Sequence, residues 1–116
     1  MELDKIFIKE NSLFNTVVKE IRLFLNISGE VEIELIITNF SSRSIFKTIK
    51  LSFIGVIEYS FFYNLNYYFY NIEDYKFFKT NSYYYLSLDP DMEIEEISQK
   101  DMDFIKCKNI ELEEME

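Results

Sequence analysis

A two-residue alternation of apolar side chains recurs along this chain, and it limits the fold to sheets. Val31, Ile33, Leu35 and Ile37 are separated by Glu32, Glu34 and Ile36, while Ile45, Lys47, Ile49, Leu51 and Phe53 share one parity. Successive side chains of a strand point to opposite faces, so this period marks strands with one face in a core. Composition pushes the same way. Alanine is absent while Phe, Tyr, Ile and Leu dominate, and aromatic and β-branched residues suit a pleated, half-buried surface better than a helix. At 116 residues the chain is long enough for one core and too short for two domains.

Turn signals divide the alternation. Ser28-Gly29-Glu30 predicts a hairpin between a strand carrying Ile21, Leu23, Leu25 and Ile27 and the strand that starts at Val31. Residues 12–18 fit two patterns, because Leu13, Phe14, Val17, Val18, Ile21, Phe24 and Leu25 also form a helical stripe with Ser12 as its N-cap. The strand is therefore assigned from Lys19, and residues 12–18 stay open. Residues 39–44 read as a polar loop. The strand from Ile45 to Ser60 is interrupted by Gly55, which predicts a bend or bulge and a passage from one sheet to another.

Residues 64–71 fit either a helix or an extended segment. A strand over 72–79, a turn at Thr80-Asn81-Ser82 and a returning arm over 83–88 make a second hairpin, closed by Asp89-Pro90-Asp91. Ser98 and Asp101 resemble a capping box opening one helical turn. In the final strand, 103–112, Ile105 and Cys107 oppose Ile110 and Leu112 in parity, so a slip near Asn109 is expected. The fold class that follows is mostly β: an antiparallel β-sandwich or half-open barrel of about six strands, with one short helix as an option.

Charge separates along the sequence. Up to Leu88 there are ten acids against nine Lys and Arg, and from Asp89 onward eleven acids against three lysines, giving a net charge of −9. The basic footprint that direct binding to nucleic acid or an anionic membrane requires is missing. There is no histidine, so imidazole-assisted nucleophiles and imidazole metal ligands are excluded. A calcium loop starting at Asp89 would need glycine and glutamate where Ile94 and Lys100 stand. No catalytic residue, metal or cofactor is assigned on these grounds. An acid–base site would have to draw on Glu58, Glu73, Asp74, Asp101 and Asp103. The single cysteine, Cys107, reads as a small buried hydrophobe, and one thiol makes no internal disulfide. The start, MELDKIFIKE, has no basic and long apolar leader, and no run approaches the ~20 apolar residues of a spanning helix, so a cytoplasmic protein is expected.

All nine tyrosines lie between Tyr59 and Tyr85. Tyr59, Tyr75 and Tyr84 are assigned to the core or a sheet face. The rings of Tyr63, Tyr67, Tyr68 and Tyr70, with Tyr83 and Tyr85, are expected at the surface, where tyrosine combines apolar area, a polar tip and little rotamer entropy. Together with the carboxylates of Asp91, Glu93 and Glu95, the Tyr63–Tyr70 group makes the expected partner-binding surface, facing a basic protein.

The runs IKLSFIGV from Ile49, Ile72-Glu73-Asp74, YYLSLD from Tyr84 and DMDFIKCKNIEL from Asp101 resemble small immunity-like proteins of bacterial polymorphic-toxin systems. The resemblance spans residues 45–112 and consists of strand patterns. It implies a compact, mostly β cytosolic protein that binds and neutralises a toxin encoded beside it. Other readings are an acidic inhibitor from a mobile element that mimics nucleic acid, and a ligand-binding or homodimeric structural domain. The chain is expected to act as a monomer or homodimer.

Overall fold

The structure, a computed structural model, describes residues 13–42, 45–68 and 70–115. Among these residues there are seven strands and no helix: β1 Thr16–Leu25, β2 Val31–Ser42, β3 Ile45–Ser60, β4 Asn71–Ile72, β5 Lys76–Lys79, β6 Tyr84–Asp89 and β7 Met102–Met115. They form one antiparallel sheet in the order β4-β1-β2-β3-β7-β6-β5. The two end strands are neighbours in sequence, separated by Glu73, Asp74 and Tyr75. Four residue steps span at most about 14 Å, so the sheet curls until its ends approach. The result is a half-open barrel rather than a sandwich.

The alternation supplies its interior. Ile33, Leu35 and Ile37 of β2 stand opposite Phe53, Leu51 and Ile49 of β3, and all six are fully buried. Leu86 and Leu88 of β6 and Ile105, Cys107 and Ile110 of β7 complete the wall, with Leu13, Val18, Phe40 and Ile72 closing it. Truncating a side chain at such a position costs about 2–5 kcal/mol, because the cavity left behind only partly collapses. No described helix is long and apolar enough to cross a membrane.

The first hairpin forms as its turn signal requires. The Asn26 side-chain carbonyl accepts the amides of Ser28 and Glu30, both at 3.0 Å, and Gly29 takes φ +79°. The strand before it starts at Thr16, so Thr16 to Val18 are extended, while Ser12 lies outside the described residues. Asn15 at φ 61° and the Thr16 hydroxyl on the Leu13 carbonyl, at 2.6 Å, turn the chain into β1.

Several expectations need correction. Residues 39–42 are not loop: β2 runs on to Ser42, with Arg43 and Ser44 outside the described residues. Asn39 adopts φ 63° at a register shift between Ile37 and Phe40, which re-phases the strand and turns Phe40 into the core. A left-handed residue of this kind makes a bulge, and polar composition hides it. Residues 72–79 are not one strand but two, β4 and β5, at opposite ends of the sheet. Residues 64–68 and 70 hold turns that lead into β4, with Tyr67 N–H on the Asn64 carbonyl and Asn71 N–H on the Tyr68 carbonyl, both at 3.1 Å. Phe69 lies outside the described residues.

The bend at Gly55 and the slip near Asn109 are one feature. Phe53 pairs with Ile110 and Val56 with Cys107, so β3 and β7 change parity together across the same step. Among the described residues there is no second sheet for β3 to enter. Gly55 has φ +66°, and a Cβ built on it would lie 2.9 Å from Cδ of Lys108. Both substitutions of glycine by alanine at positive φ strain the backbone, by about 1–2 kcal/mol. At Gly29 nothing lies within 4 Å, so Gly29→Ala carries the backbone cost alone. Gly55→Ala adds displacement of the Lys108 side chain. Urea denaturation is expected to rank the variants in that order, with Gly55→Ala the less stable; equal midpoints would remove Gly55 as the strand's bending point.

Candidate functional site

Residues 90–100, between β6 and β7, hold the acidic stretch, and one buried ion pair shapes them. On β5 and β6, Phe77 and Leu86 face the core, so Lys76, Tyr85 and Ser87 lie on the outer face of the sheet. The loop folds back over that face. Lys76 Nζ donates to Asp101 Oδ1 at 2.8 Å and to the Glu96 carbonyl at 2.7 Å, and the two charged side chains are 6% and 0% exposed. The Asp101 carboxylate also accepts the Asp91 amide at 2.8 Å, the Tyr85 hydroxyl at 2.7 Å and the Ser98 amide at 3.0 Å. The residues expected to open a helical turn thus make a single turn, Asp101 N–H bonding to the Ser98 carbonyl at 3.1 Å. The Asp101 carboxylate returning to the Ser98 amide keeps half of a capping box.

Burial alone would raise the Asp101 carboxyl, but Lys76, the amides of Ser98 and Asp91 and the Tyr85 hydroxyl outweigh it and hold the carboxyl below its ordinary value. Tyr85, expected at the surface, is buried by this network and by stacking on Phe104 at 5.7 Å between centroids. Tyr83 is half-buried beneath Lys106, whose ammonium sits 4.2 Å from the ring centroid.

Of the three carboxylates expected to face a partner, Asp91 is spent within the loop. It accepts the Ser98 hydroxyl at 2.9 Å and the Glu93 amide at 3.1 Å. Glu93 and Glu95 are exposed, together with Glu96, which the sequence reading passed over. Between them Met92, Ile94 and Ile97 also project, Met92 at 60% exposure.

The tyrosine-rich segment, 61–68 and 70, abuts the base of this loop. Phe62 N–H donates to Asp103 Oδ1 at 2.8 Å, and the Tyr67 hydroxyl bonds both Asp89 Oδ2 and Asp103 Oδ2. Asp89 ends β6 and Asp103 lies at the start of β7, so the segment is fixed where the acidic loop leaves and rejoins the sheet. Tyr67 and Tyr70 are half-buried against the core, whereas Tyr63 at 65% and Tyr68 at 56% are exposed. Tyr59, assigned to the core or a sheet face, is also exposed. Burial, then Asp103 and Asp89, push the Tyr67 phenol above its ordinary range. Asp103 is buried with φ 50°, a left-handed conformation that costs a non-glycine residue about 1–2 kcal/mol. Burial also raises its carboxyl, more than the Tyr67 and Phe62 hydrogen bonds lower it.

Between the two segments lies an open cavity of about 290 Å³, lined by Tyr67, Tyr68, Glu73, Asp74, Asp89 and Pro90 among others. Its lining combines three carboxylates with two phenol rings, groups that attract cations by charge and by ring faces. The carboxylates Asp101, Asp103 and Glu73 do not converge: Asp101 belongs to the Lys76 network, Asp103 to Tyr67, and Glu73 to this cavity. No group of three or more Cys, Asp or Glu side chains is arranged to hold a metal among the described residues. Cys107 is buried, and burial pushes its thiol up to about 12, which keeps it protonated and unreactive.

The Lys76–Asp101 pair generates a prediction with a sign. Lys76→Met leaves a buried carboxylate uncompensated and should cost about 3–5 kcal/mol. In the native protein Asp101 is held below the unfolded value of about 3.9. Its contribution is therefore complete above that pH and is lost as pH falls through the folded value. Chemical denaturation of native protein and variant between neutral and acid pH should show the gap between them narrowing toward acid; a constant gap would mean the pair carries no charge.

Compared with known proteins, the chain matches no family model, no curated protein and no solved structure.

Proposed function

We propose that this chain is a non-catalytic binding protein that docks a basic protein partner on the acidic loop and the neighbouring tyrosines, in the role of an immunity protein that neutralises a toxin in the cytoplasm. One observation carries the reading. A buried ion pair with a surrounding hydrogen-bond network holds residues 90–100 in place, and what that scaffold presents outward is Met92, Ile94 and Ile97 interleaved with Glu93, Glu95 and Glu96.

Preorganising a loop in its bound shape lowers the entropy lost on association. The carboxylates accelerate encounter with a basic surface, and the apolar side chains slow dissociation once water is excluded. Tyr63 and Tyr68 add exposed rings, and the cavity lined by Tyr68 and Pro90 seats one cationic side chain of the partner.

The rest of the acidic stretch supports this choice. Glu113 and Glu114 near the C-terminus pair with Lys50 and Lys47 at 3.0 Å each, so their charge is answered within the barrel. Among the described residues no lysine or arginine pairs with Glu93, Glu95 or Glu96.

Affinity purification of the tagged protein from its native host, washed at low and high salt, tests the reading. One stoichiometric basic protein should remain at low salt and be partly lost at high salt. Replacing Glu93, Glu95 and Glu96 together by lysine should slow association with it about tenfold at low salt and remove the salt dependence. Tyr68→Ala should instead speed dissociation. A partner bound equally fast by the lysine variant would overturn the electrostatic reading, and displacement of the partner by DNA or RNA would favour nucleic-acid mimicry.

A further inference from the structure

Three groups meet at the base of the tyrosine-rich segment, and there are too few hydrogens for their contacts. The Tyr67 hydroxyl oxygen is within hydrogen-bonding distance of Asp89 Oδ2 and Asp103 Oδ2. A phenol carries one hydrogen and an ionised carboxylate carries none. Tyr67 can therefore donate to one carboxylate only. The second contact needs a hydrogen on the other carboxyl, donated back to the phenol oxygen.

The surroundings select Asp103 as its carrier. Its side chain is buried, Oδ1 already accepts the Phe62 amide, and Oδ2 is left facing the phenol. Asp89 is half-exposed at the cavity rim. The charged groups nearby are acids: Asp89 from β6, and Glu73 and Asp74 from the β4–β5 connection, which line the same cavity. Among the described residues Lys47, Lys50, Lys76, Lys108 and Arg22 form ion pairs with Glu30, Glu34, Asp101, Glu113 and Glu114, and none with Asp89 or Asp103. Among the described residues no cation is paired there to compensate a second negative charge.

We propose that Asp103 is held as a neutral carboxylic acid that donates to Tyr67 while Tyr67 donates to Asp89, and that ionisation of Asp103 loosens the tyrosine-rich segment where Phe62 and Tyr67 are held. The chain of bonds runs from Asp103 through Tyr67 to the Asp89 carboxylate. When Asp103 loses its proton, its carboxylate meets the lone pairs of the phenol oxygen and the charge of Asp89. Phe62 and Tyr67 then lose their fixed geometry, and Tyr63 and Tyr68 between and beside them lose theirs, while Phe61 and Tyr70 stay packed on the core and the Tyr70 carbonyl keeps the Val18 amide. The direction of the Asp103 shift agrees with this arrangement, since burial first, and Asp89 after it, raise the carboxyl.

The sign is opposite to that at Asp101. A carboxyl raised on folding stabilises the folded state fully below its unfolded value of about 3.9 and loses that contribution as pH rises through the folded value. As regulation of the binding surface the inference rests on the proposed partner docking; the proton itself does not.

Carbon-detected NMR of protein labelled at the aspartate carboxyls, recorded with amide exchange across pH 4–8 (roughly the window above the ordinary aspartate value), tests the proton without any partner. Asp103 should titrate above the ordinary range, and the protection of the Phe62 amide should fall about tenfold over the same interval. In Asp89→Asn the amide can donate to Tyr67, freeing Tyr67 to donate to an ionised Asp103, so the Asp103 titration should move down. In Asp103→Asn, which keeps the shape and donor of the acid, Phe62 protection should no longer respond to pH in this interval. An Asp103 that titrates at or below the ordinary value, or Phe62 protection in native protein that ignores the titration, overturns the proposal and leaves the partner reading standing. A confirmed titration in a protein with no partner would do the reverse.

Discussion

Three residues, Glu73 to Tyr75, carry the chain from β4 at one end of the sheet order to β5 at the other. A flat seven-stranded sheet would hold those ends about 28 Å apart at the usual strand spacing, twice what the connection can span. Curling is therefore forced, and the curl decides what the two faces become. Inside, the cross-strand pairs of β2, β3 and β7 meet around one core. Outside, β5 and β6 present Lys76, Tyr85 and Ser87, groups that cannot stay dry without partners. The acidic loop covers them because the chain leaving β6 must return along the same strand to start β7. The forced connection also supplies Glu73 and Asp74 to the cavity beside that loop. Site and closure are thus consequences of one constraint.

Asp101 and Asp103, two residues apart, show how local partners set the state of a carboxyl at nearly equal burial. Both are buried, and burial opposes charge at both. Asp101 faces an ammonium and several donors, so the ion is favoured. At Asp103 burial, and after it the charge of Asp89, outweigh the Tyr67 and Phe62 hydrogen bonds, so the carboxyl is raised. Asp103, at positive φ, is buried in phase with Ile105 and Cys107 and meets Tyr67, whereas Asp101 meets Lys76 from the outer face of the sheet.

Much of the fold was legible because alternation and glycine act locally. The inward residues of β2 and β3, the turn at Gly29, the bend at Gly55 and the slip near Asn109 all followed from pattern. What stayed hidden depends on contacts distant in sequence. Asn39 reads as a loop residue, and only its pairing context makes it a bulge that turns Phe40 inward. The break after Ile72 has no glycine or proline to announce it; barrel closure imposes it. Tyr85 sits in a run of three tyrosines, and nothing in that run says that its hydroxyl meets Asp101. One signal was available for the site: Ser98 and Asp101 have capping-box spacing, which marks Asp101 as a side chain turned back on its own loop.

The acidic stretch read from the sequence as a single feature is divided by the structure into charges with different work. Glu113 and Glu114 are matched by lysines of β3. Asp101 is matched by Lys76, and Asp91 is tied into the loop. Asp89 and Asp103 share a phenol. Glu111 is exposed on β7, and within the loop Glu93, Glu95 and Glu96 are exposed and held on a fixed backbone beside exposed apolar side chains. If these glutamates served solubility alone, their positions relative to one another would be immaterial, and a flexible loop would do as well. A buried ion pair beneath them is a costly way to gain nothing, since well-packed apolar residues commonly replace such a pair without loss of stability. The pair is better understood through what it constrains: it fixes the backbone from Asp91 to Ser98 at the carbonyl of Glu96 and at both ends, leaving the carboxylates and apolar tips of the loop in one arrangement.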